Sequence, residues 1–567
     1  MQSNASGDMA TGSRTIAPAA AGREPWESPW VWGFVVLVGA AVLCRQYFGA
    51  ISYWYDEAFI LFNVYRRPFL ALIGAVDCNQ AAPVFYLWIE RAVYLVLGPS
   101  ELAMRLPAFL AGLAALLLMV PLARRLVGGP GWPWAVAFCA LSAHFVMHSC
   151  EVHPYSFDVL ACEAVLMAVC FYVTPGYPRR RRGVAAAPLL LAALVLPWFS
   201  FPAAFALGAA GTALLTHALG RRSPRDLVVC AVFTGLTFLS GAAMWYFHAR
   251  YLNYPGLHEF WTAGFPRRFT PGSLLFWTLN TPVEVGNYAN QAVGIPMALL
   301  GAVGAWVLAR RSPPLAVAAV GPIVFGMAAA CLKRYPMDDR LLMYAAPCLW
   351  LLSAAGVGAV LERFRGRRRW VAAAFFGLLL ANGALETAKE IVSVRSRGDW
   401  RGAFAYVHEH QARGDKVWVA FPQVYEAYYG DPDDFVGGGN AADMERQALQ
   451  GPVWVVTVAG HEGTRILVEE LEKQGCVRTD FHGVDRIDVY LYTPPPRVVG
   501  GATGRRPAGA SARDGKQGGI LSGTAGDGGN GRGDRVECRP AAGRSQGPSG
   551  RGREIFQESG ARSRIEV

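Results

Sequence analysis

Long apolar stretches separated by short polar connections run along the chain from Val31 to Leu385. Each holds about 18 residues or more, enough for a helix to cross the hydrocarbon core of a bilayer. Eleven spans are predicted, over residues 30–48, 103–123, 131–149, 156–173, 186–200, 201–219, 227–248, 291–309, 313–332, 340–360 and 370–386. The fifth and sixth are short and joined around LPWFSFP, so they also suit a re-entrant pair. One further stretch, APVFYLWIERAVYLVLG at 82–98, carries Glu90 and Arg91 at its centre. A charge at mid-bilayer costs roughly 2.5–3.5 kcal/mol on insertion scales. This stretch is therefore read as an amphipathic helix lying in the interface plane, within one long outer loop over 49–102.

The pattern changes after residue 395. GDWRGAFAYVHEHQARGD reads as an amphipathic helix, KVWVAF and GPVWVVTVAG as buried strands, TRILVEELEKQG as a helix and RIDVYLYT as a last strand. Alternating helices and strands predict a small α/β domain over 396–495. Residues 496–567 are rich in Gly, Arg and Ser and poor in aliphatics, which predicts a disordered tail. The expected architecture is a polytopic α-helical membrane protein of about 11 transmembrane helices, with interfacial helices in the first outer loop, plus this C-terminal domain. The domain boundaries are a cytoplasmic tail over 1–29, a membrane domain over 30–395, the α/β domain over 396–495 and the tail over 496–567.

Composition agrees. Of 567 residues 53% are hydrophobic and only 17% charged, below the charge of a soluble enzyme. The formal charge of +11 points to no nucleic acid partner, because its arginines cluster between spans. Arg124–Arg125, Arg179 to Arg182, Arg221–Arg222 with Arg225, Arg310–Arg311 and Arg363 to Arg369 fall at every second connection. The positive-inside rule puts all five, and the N-terminus, in the cytoplasm. The polar N-terminus lacks an apolar h-region beside a cleavage site, so the first span reads as an uncleaved anchor. Most of the eleven cysteines lie inside apolar runs and read as small buried hydrophobes. Cys78 and Cys150 fall together on the outer side, where a disulfide is open to them.

This topology gathers four polar features on the outer side. They are SYWYDEAF with Asp56 and Glu57, HSCEVHPYS with Glu151, His153 and Tyr155, the aromatic 249–290 loop, and KRYPMDDR with Lys333, Arg334 and Arg340. The soluble domain joins them there. Cations on an outer loop run against the positive-inside trend, which marks Arg334 and Arg340 as candidate anion contacts. Pairing with the adjacent Asp338 and Asp339 is the plainer alternative, and Arg267–Arg268 are a second choice. Arg105 reads as a partner of Glu101 on its own helix. Trp54, Tyr55, Tyr86, Trp88 and Trp261 read as an interfacial belt. Taken alone, Asp56–Glu57 reads equally as a solvated interfacial turn, and Glu151 more often as a solvated acid at a helix end.

These pieces, in this order, resemble the GT-C membrane glycosyltransferases, in the bacterial branch that includes the protein O-mannosyltransferases and the lipid A aminoarabinose transferase. The likeness is carried by YDEAF at 55–59, DCNQAAPVFYLWIERAVYLVLGPSELAMRLPAFLAG at 77–112 and HSCEVHPYSFDVL at 148–160. KRYPMDDRLLMYAAPCLWLLSAAG and RGDWRGAFAYVHEHQARGDKVWV complete it. Two departures stand out. The chain has Gln80-Ala81-Ala82-Pro83 where relatives often have His or Asn before two prolines, and His153 where Arg is frequent. The resemblance implies a sugar transferred from a polyprenyl-phosphate donor to a hydroxyl acceptor (protein, lipid or glycan). The transfer would be an inverting displacement at the outer face of a bacterial inner membrane. Asp56 is then the candidate base and Glu57 its orienting neighbour or an acceptor contact, while Glu151, His153, Tyr155, Arg334 and Arg340 bind substrate. No cofactor is expected. A divalent cation, held by Asp56, Glu151 and His153, is the alternative. A polyprenyl-glycan ligase or polymerase is the competing enzyme. A lipid-glycan transporter fits less well, since no internal repeat is evident and the acids lie at membrane edges.

Overall fold

The fold is described from a computed structural model over residues 28–174, 182–252, 259–430 and 441–495. Residues 1–27 of the tail expected over 1–29, the tail expected over 496–567, and Arg179 to Arg181 lie outside these residues. The chain divides after Asp399 into two compact units, just past the boundary expected at residue 395.

The first unit is helical. It begins with α1 (Pro29–Phe48), α2 (Tyr55–Arg66), α3 (Val84–Leu97) and α4 (Glu101–Leu126). Next come α5 (Trp132–Ala140), α6 (Ala143–His148), α7 (Tyr155–Val173), α8 (Arg182–Phe199), α9 (Ala203–Arg221) and α10 (Pro224–Phe247). Then follow α11 (Pro271–Asn290), α12 (Gly294–Arg311), α13 (Pro313–Cys331), a 3₁₀ turn over Asp339–Ala345, α14 (Ala346–Arg363) and α15 (Arg367–Val392). Among the described residues eight helices are long and apolar enough to cross a membrane, or nine with α11 and α12 counted as one bent span. This is a multi-pass membrane protein. The other three expected spans fall on α5 with α6, which break at Leu141–Ser142, on the shorter α8, and on α12.

One segment differs from expectation. Residues 271–290, read as part of an outer loop, form α11, which meets α12 at 117°. Asn280, Pro282 and Glu284 interrupt its apolar pattern, which hid the helix. The bend uses two left-handed residues, Gln291 and Ala292, and the Asn287 side chain accepts from the Gly294 amide at 2.9 Å. α12 then packs on α14 through glycines. A Cβ on Gly304 would fall 1.8 Å from the Leu352 carbonyl oxygen, and one on Gly356 2.1 Å from that of Leu300. Small residues of this kind let backbones approach where no hydrophobic drive separates helix from lipid.

The 82–98 stretch is the 14-residue α3, too short to span. Arg91 donates to the Val64 and Tyr65 carbonyls at 2.7 and 2.9 Å. Glu90 is 0% exposed and neither of its oxygens has a hydrogen bond among the described residues. Burial pushes its carboxyl well above the usual range. Tyr86, expected in the interfacial belt, is buried against Phe157 instead. Cys78 and Cys150 form no disulfide.

The second unit holds α16 (Trp400–His410), β1 (Lys416–Val419), α17 (Pro422–Tyr429), α18 (Ala441–Gln450), β2 (Val453–Val458), α19 (Glu462–Lys473), β3 (Val477–Val484) and β4 (Ile487–Thr493). The sheet order is β1-β2-β4-β3, with β1 and β2 parallel and the other pairs antiparallel. Trp418, Val455, Leu467 and Tyr492 are among its core residues. Three strands were expected. The fourth, β3, is a largely exposed edge strand, so VRTDFHGV lacks the apolar run that marks a buried one. It joins β4 through Asp485 and Arg486, both left-handed, a two-residue turn made without the usual glycine.

Candidate active site of the helical unit

α2 starts at Tyr55 because Glu57, its third residue, reaches back to accept from the Trp54 amide at 2.9 Å. Acids in a first helical turn also complement the positive end of the helix dipole. That places Asp56 and Glu57 side by side with different partners. Glu57 accepts from Nε and Nη2 of Arg105 at 2.8 and 2.7 Å, and from the Val152 amide at 2.9 Å. With Trp54 it therefore accepts four hydrogen bonds, joining α2, α4 and the turn before α7. Arg105, expected to serve Glu101, closes its fork on Glu57. Of the two roles anticipated for Glu57, this geometry suits orientation and leaves no lone pair for an acceptor contact.

Asp56 is ion-paired with Nη1 of Arg340. Arg340 follows Asp339, whose φ of +47° is left-handed and strained for a residue with a Cβ. The turn carrying it is held by the Met337 amide, which donates to the Gly264 carbonyl at 2.9 Å. Gly264 permits this approach, since a Cβ there would lie 2.7 Å from Pro336. The rings of Trp261 and Tyr155 stand 5.5 and 5.9 Å from the Arg340 guanidinium. The late loop is thus tied to the aromatic loop and to the start of α7.

Between α6 and α7 the chain turns through Glu151 and His153. Glu151 Oε1 lies 3.0 Å from Nη2 of Arg397, and Oε2 lies 2.8 Å from Nδ1 of His148. His148 Nε2 is 2.5 Å from the Tyr288 hydroxyl of α11. In the neutral ring Nδ1–H donates to the carboxylate, so Nε2 accepts from the tyrosine. His153 stacks on Tyr155 with centroids 5.1 Å apart, and its Nε2 has no hydrogen bond among the described residues.

Charge decides the protonation states. Burial pushes the Asp56 carboxyl up, but the Arg340 guanidinium, with His153 and Arg397 beyond it, holds it below the usual carboxylate range. Burial also opposes ionisation of Glu151, and Arg397 and His148 overcome it, leaving that carboxyl far below its usual range. Burial and Arg340 push the His153 imidazole down to about 3, against the pull of Asp56 and Glu151. At neutral pH Asp56 and Glu151 are therefore carboxylates facing the guanidiniums of Arg340 and Arg397, with a neutral His153 imidazole beside them. It can accept a proton at a carboxylate and offer cations to an anion.

Asp56, Glu57, Glu151, His153, Tyr155 and Arg340 therefore come together. Arg334 does not. It is exposed past the end of α13 and makes no side-chain hydrogen bond or ion pair among the described residues. Arg267 and Arg268 are likewise exposed. Arg340 takes Asp56 as its ion-pair partner, not the adjacent acids expected as the plainer alternative. Asp56 and Glu151, the acids of the alternative cation shell, are each ion-paired with a guanidinium. Among the described residues no group of three or more His, Cys, Asp or Glu side chains is arranged to hold an ion. Arg397, His148 and Tyr288 were not anticipated. Arg397 carries a signal like that of Arg340, a cation close to the end of an apolar helix. Tyr288 lay in a segment read as loop.

No protein-family model matches the chain, and no curated protein matches it in sequence. Solved structures are similar. The oligosaccharyltransferase of Archaeoglobus fulgidus, in complex with Zn and sulfate, is 11% identical with a TM-score of 0.51, covering 82% of this chain and 73% of that one. ArnT from Cupriavidus metallidurans bound to undecaprenyl phosphate is 15% identical with a TM-score of 0.46, covering 81% of this chain and 98% of that one. The chain has the GT-C fold.

Proposed function

We propose that this protein is a membrane glycosyltransferase that moves a sugar from a polyprenyl-phosphate donor to a hydroxyl acceptor at the outer face of a bacterial inner membrane. The observation that carries this reading is the pairing of Asp56 with Arg340, which sets a candidate base and a candidate phosphate contact in one buried cluster. The ordered sequence resemblance and the GT-C fold point the same way.

In this reading Asp56 takes the proton of the acceptor hydroxyl, whose oxygen attacks the anomeric carbon from the face opposite the phosphate. The bond from that carbon to the phosphate oxygen breaks, its electron pair leaves with the lipid phosphate, and the configuration inverts. A base within reach is typically worth about 10²–10⁴-fold. Arg340, assisted by Arg397 in place of Arg334, meets the charge that develops on the phosphate. Glu57 orients the start of α2. His153 and Tyr155 stack on each other beside Arg340, and no step calls for a metal. The test is to supply the detergent-purified chain with labelled polyprenyl-phosphate sugars and follow the label by mass spectrometry. Transfer to a hydroxyl acceptor is the expected result. Donor left intact across sugars and acceptors would refute the reading.

A further inference from the structure

Two buried nitrogens of the cluster are left over. Neither Nε of Arg340 nor Nε2 of His153 has a hydrogen bond among the described residues. His153 is only 4% exposed, so water does not readily supply a partner. Unmade buried hydrogen bonds are costly and mark places where a further partner belongs. The two arginines beside them are also half used. Arg340 reaches Asp56 through Nη1 alone, and Arg397 reaches Glu151 through Nη2 alone. A guanidinium satisfies a carboxylate or a phosphate best through two parallel N–H groups.

On the glycosyl-transfer reading above, we propose that Arg340 and Arg397 form one anion site for the phosphate of the donor lipid, which Asp56 and Glu151 occupy until that phosphate displaces them. Carboxylate and phosphate oxygens make the same demand of a guanidinium, so the acids compete directly with the ligand. The phosphate gains from Arg340 the Nε that Asp56 leaves unused, and His153 Nε2 as a further neighbour. A carboxylate ion-paired with Arg340 is a poor base. Seating the phosphate removes that counter-ion, so Asp56 becomes basic in the step that puts the leaving group in place. Arg334, outside the cluster, takes no part.

The test is equilibrium binding of a polyprenyl phosphate lacking sugar to the full chain in detergent. Removing a competing carboxylate tightens binding. Asp56→Asn and Glu151→Gln are each expected to bind about tenfold tighter than wild type, the difference between a charged and a neutral hydrogen bond. Arg340→Gln is expected to bind at least about tenfold weaker. Asp77→Asn removes a carboxylate held by Arg67 at 2.6 Å, outside the cluster, and is expected to bind as wild type. Inorganic phosphate is expected to displace the lipid only at far higher concentration. Equal strength would assign the site to free phosphate and overturn the proposal. Wild-type affinity in both acid variants, with Arg340→Gln weakened, would overturn displacement while leaving glycosyl transfer intact. Tightening in Asp77→Asn would also overturn it, by tracing the effect to long-range charge. A wild-type chain that neither binds the lipid nor transfers sugar would take the functional reading down with it.

Discussion

Arg105 grips both oxygens of Glu57, at 2.8 and 2.7 Å, with side chains only 2% and 3% exposed, so the acid beside the candidate base is a structural tie. Removing one partner of such a pair leaves a buried charge uncompensated, which costs about 3–5 kcal/mol. Glu57→Gln is therefore expected to lower the unfolding midpoint in detergent, and Glu57→Gln combined with Arg105→Met to recover part of the loss. A Glu57→Gln protein as stable as wild type would show that the pair contributes little.

Asp56→Asn keeps the size and much of the hydrogen bonding of the side chain but cannot take a proton. Turnover should fall by about 10² or more while the donor lipid still binds. If Asp56→Asn turns over normally, the base lies elsewhere in the cluster, and Glu151 is the next candidate.

The two arginines of the late loop should behave differently. Arg340→Ala is expected to cost on the order of 1.5–3 kcal/mol in kcat/KM. Arg340→Lys restores only part of this, because an ammonium lacks the planar fork. Arg334→Ala should stay within about 0.5 kcal/mol of wild type. Equal losses at the two positions would place the phosphate outside the cluster.

Acid should loosen this site. Asp56 and Glu151 have folded pKa values below their unfolded ones, so the stability they add is present above the usual carboxylate range and is lost as pH falls through the folded values. His153 acts in the same direction. Its folded value is pushed down to about 3 from 6.5, so the unfolded chain takes up a proton first and stability declines from about pH 6.5 downward. Unfolding midpoints measured from pH 7 to pH 4 should fall, and His153→Gln should flatten the slope between pH 6.5 and 4. An unchanged slope in that variant would mean that His153 titrates normally.

Orientation can be read by cysteine labelling in a background without accessible native cysteines. A cysteine introduced at Gly74 should react with an impermeant reagent from outside, and one at Arg365 should not. Labelling of Arg365 from outside would put the arginine clusters and the acids on the wrong sides.

Hydropathy was enough to place most of the apolar helices, because the free energy of moving a residue into lipid belongs to that residue and adds along the chain. Asp56, Glu57, Glu151, His153, Tyr155 and Arg340 were legible for the same reason, as polar groups at the ends of apolar runs on one inferred side. Partners were not. Arg340 meets Asp56 across 284 residues and Glu57 meets Arg105 across 48, although Asp338, Asp339 and Glu101 lie closer in sequence. Those choices depend on how helices pack, which glycines such as Gly304 and Gly356 set through backbone contacts that no periodicity reports. The same holds for α11, whose polar interruptions sit at a bend supported by Asn287 and Gly294, and for the edge strand β3, whose pairing with β4 supplies what its own residues do not. The chain alone determined a membrane-spanning helical protein with a C-terminal α/β unit. The tertiary structure decided that Glu57 is tied to Arg105, that Asp56 pairs with Arg340, and that Arg397 stands on Glu151 while Arg334 stays outside the cluster.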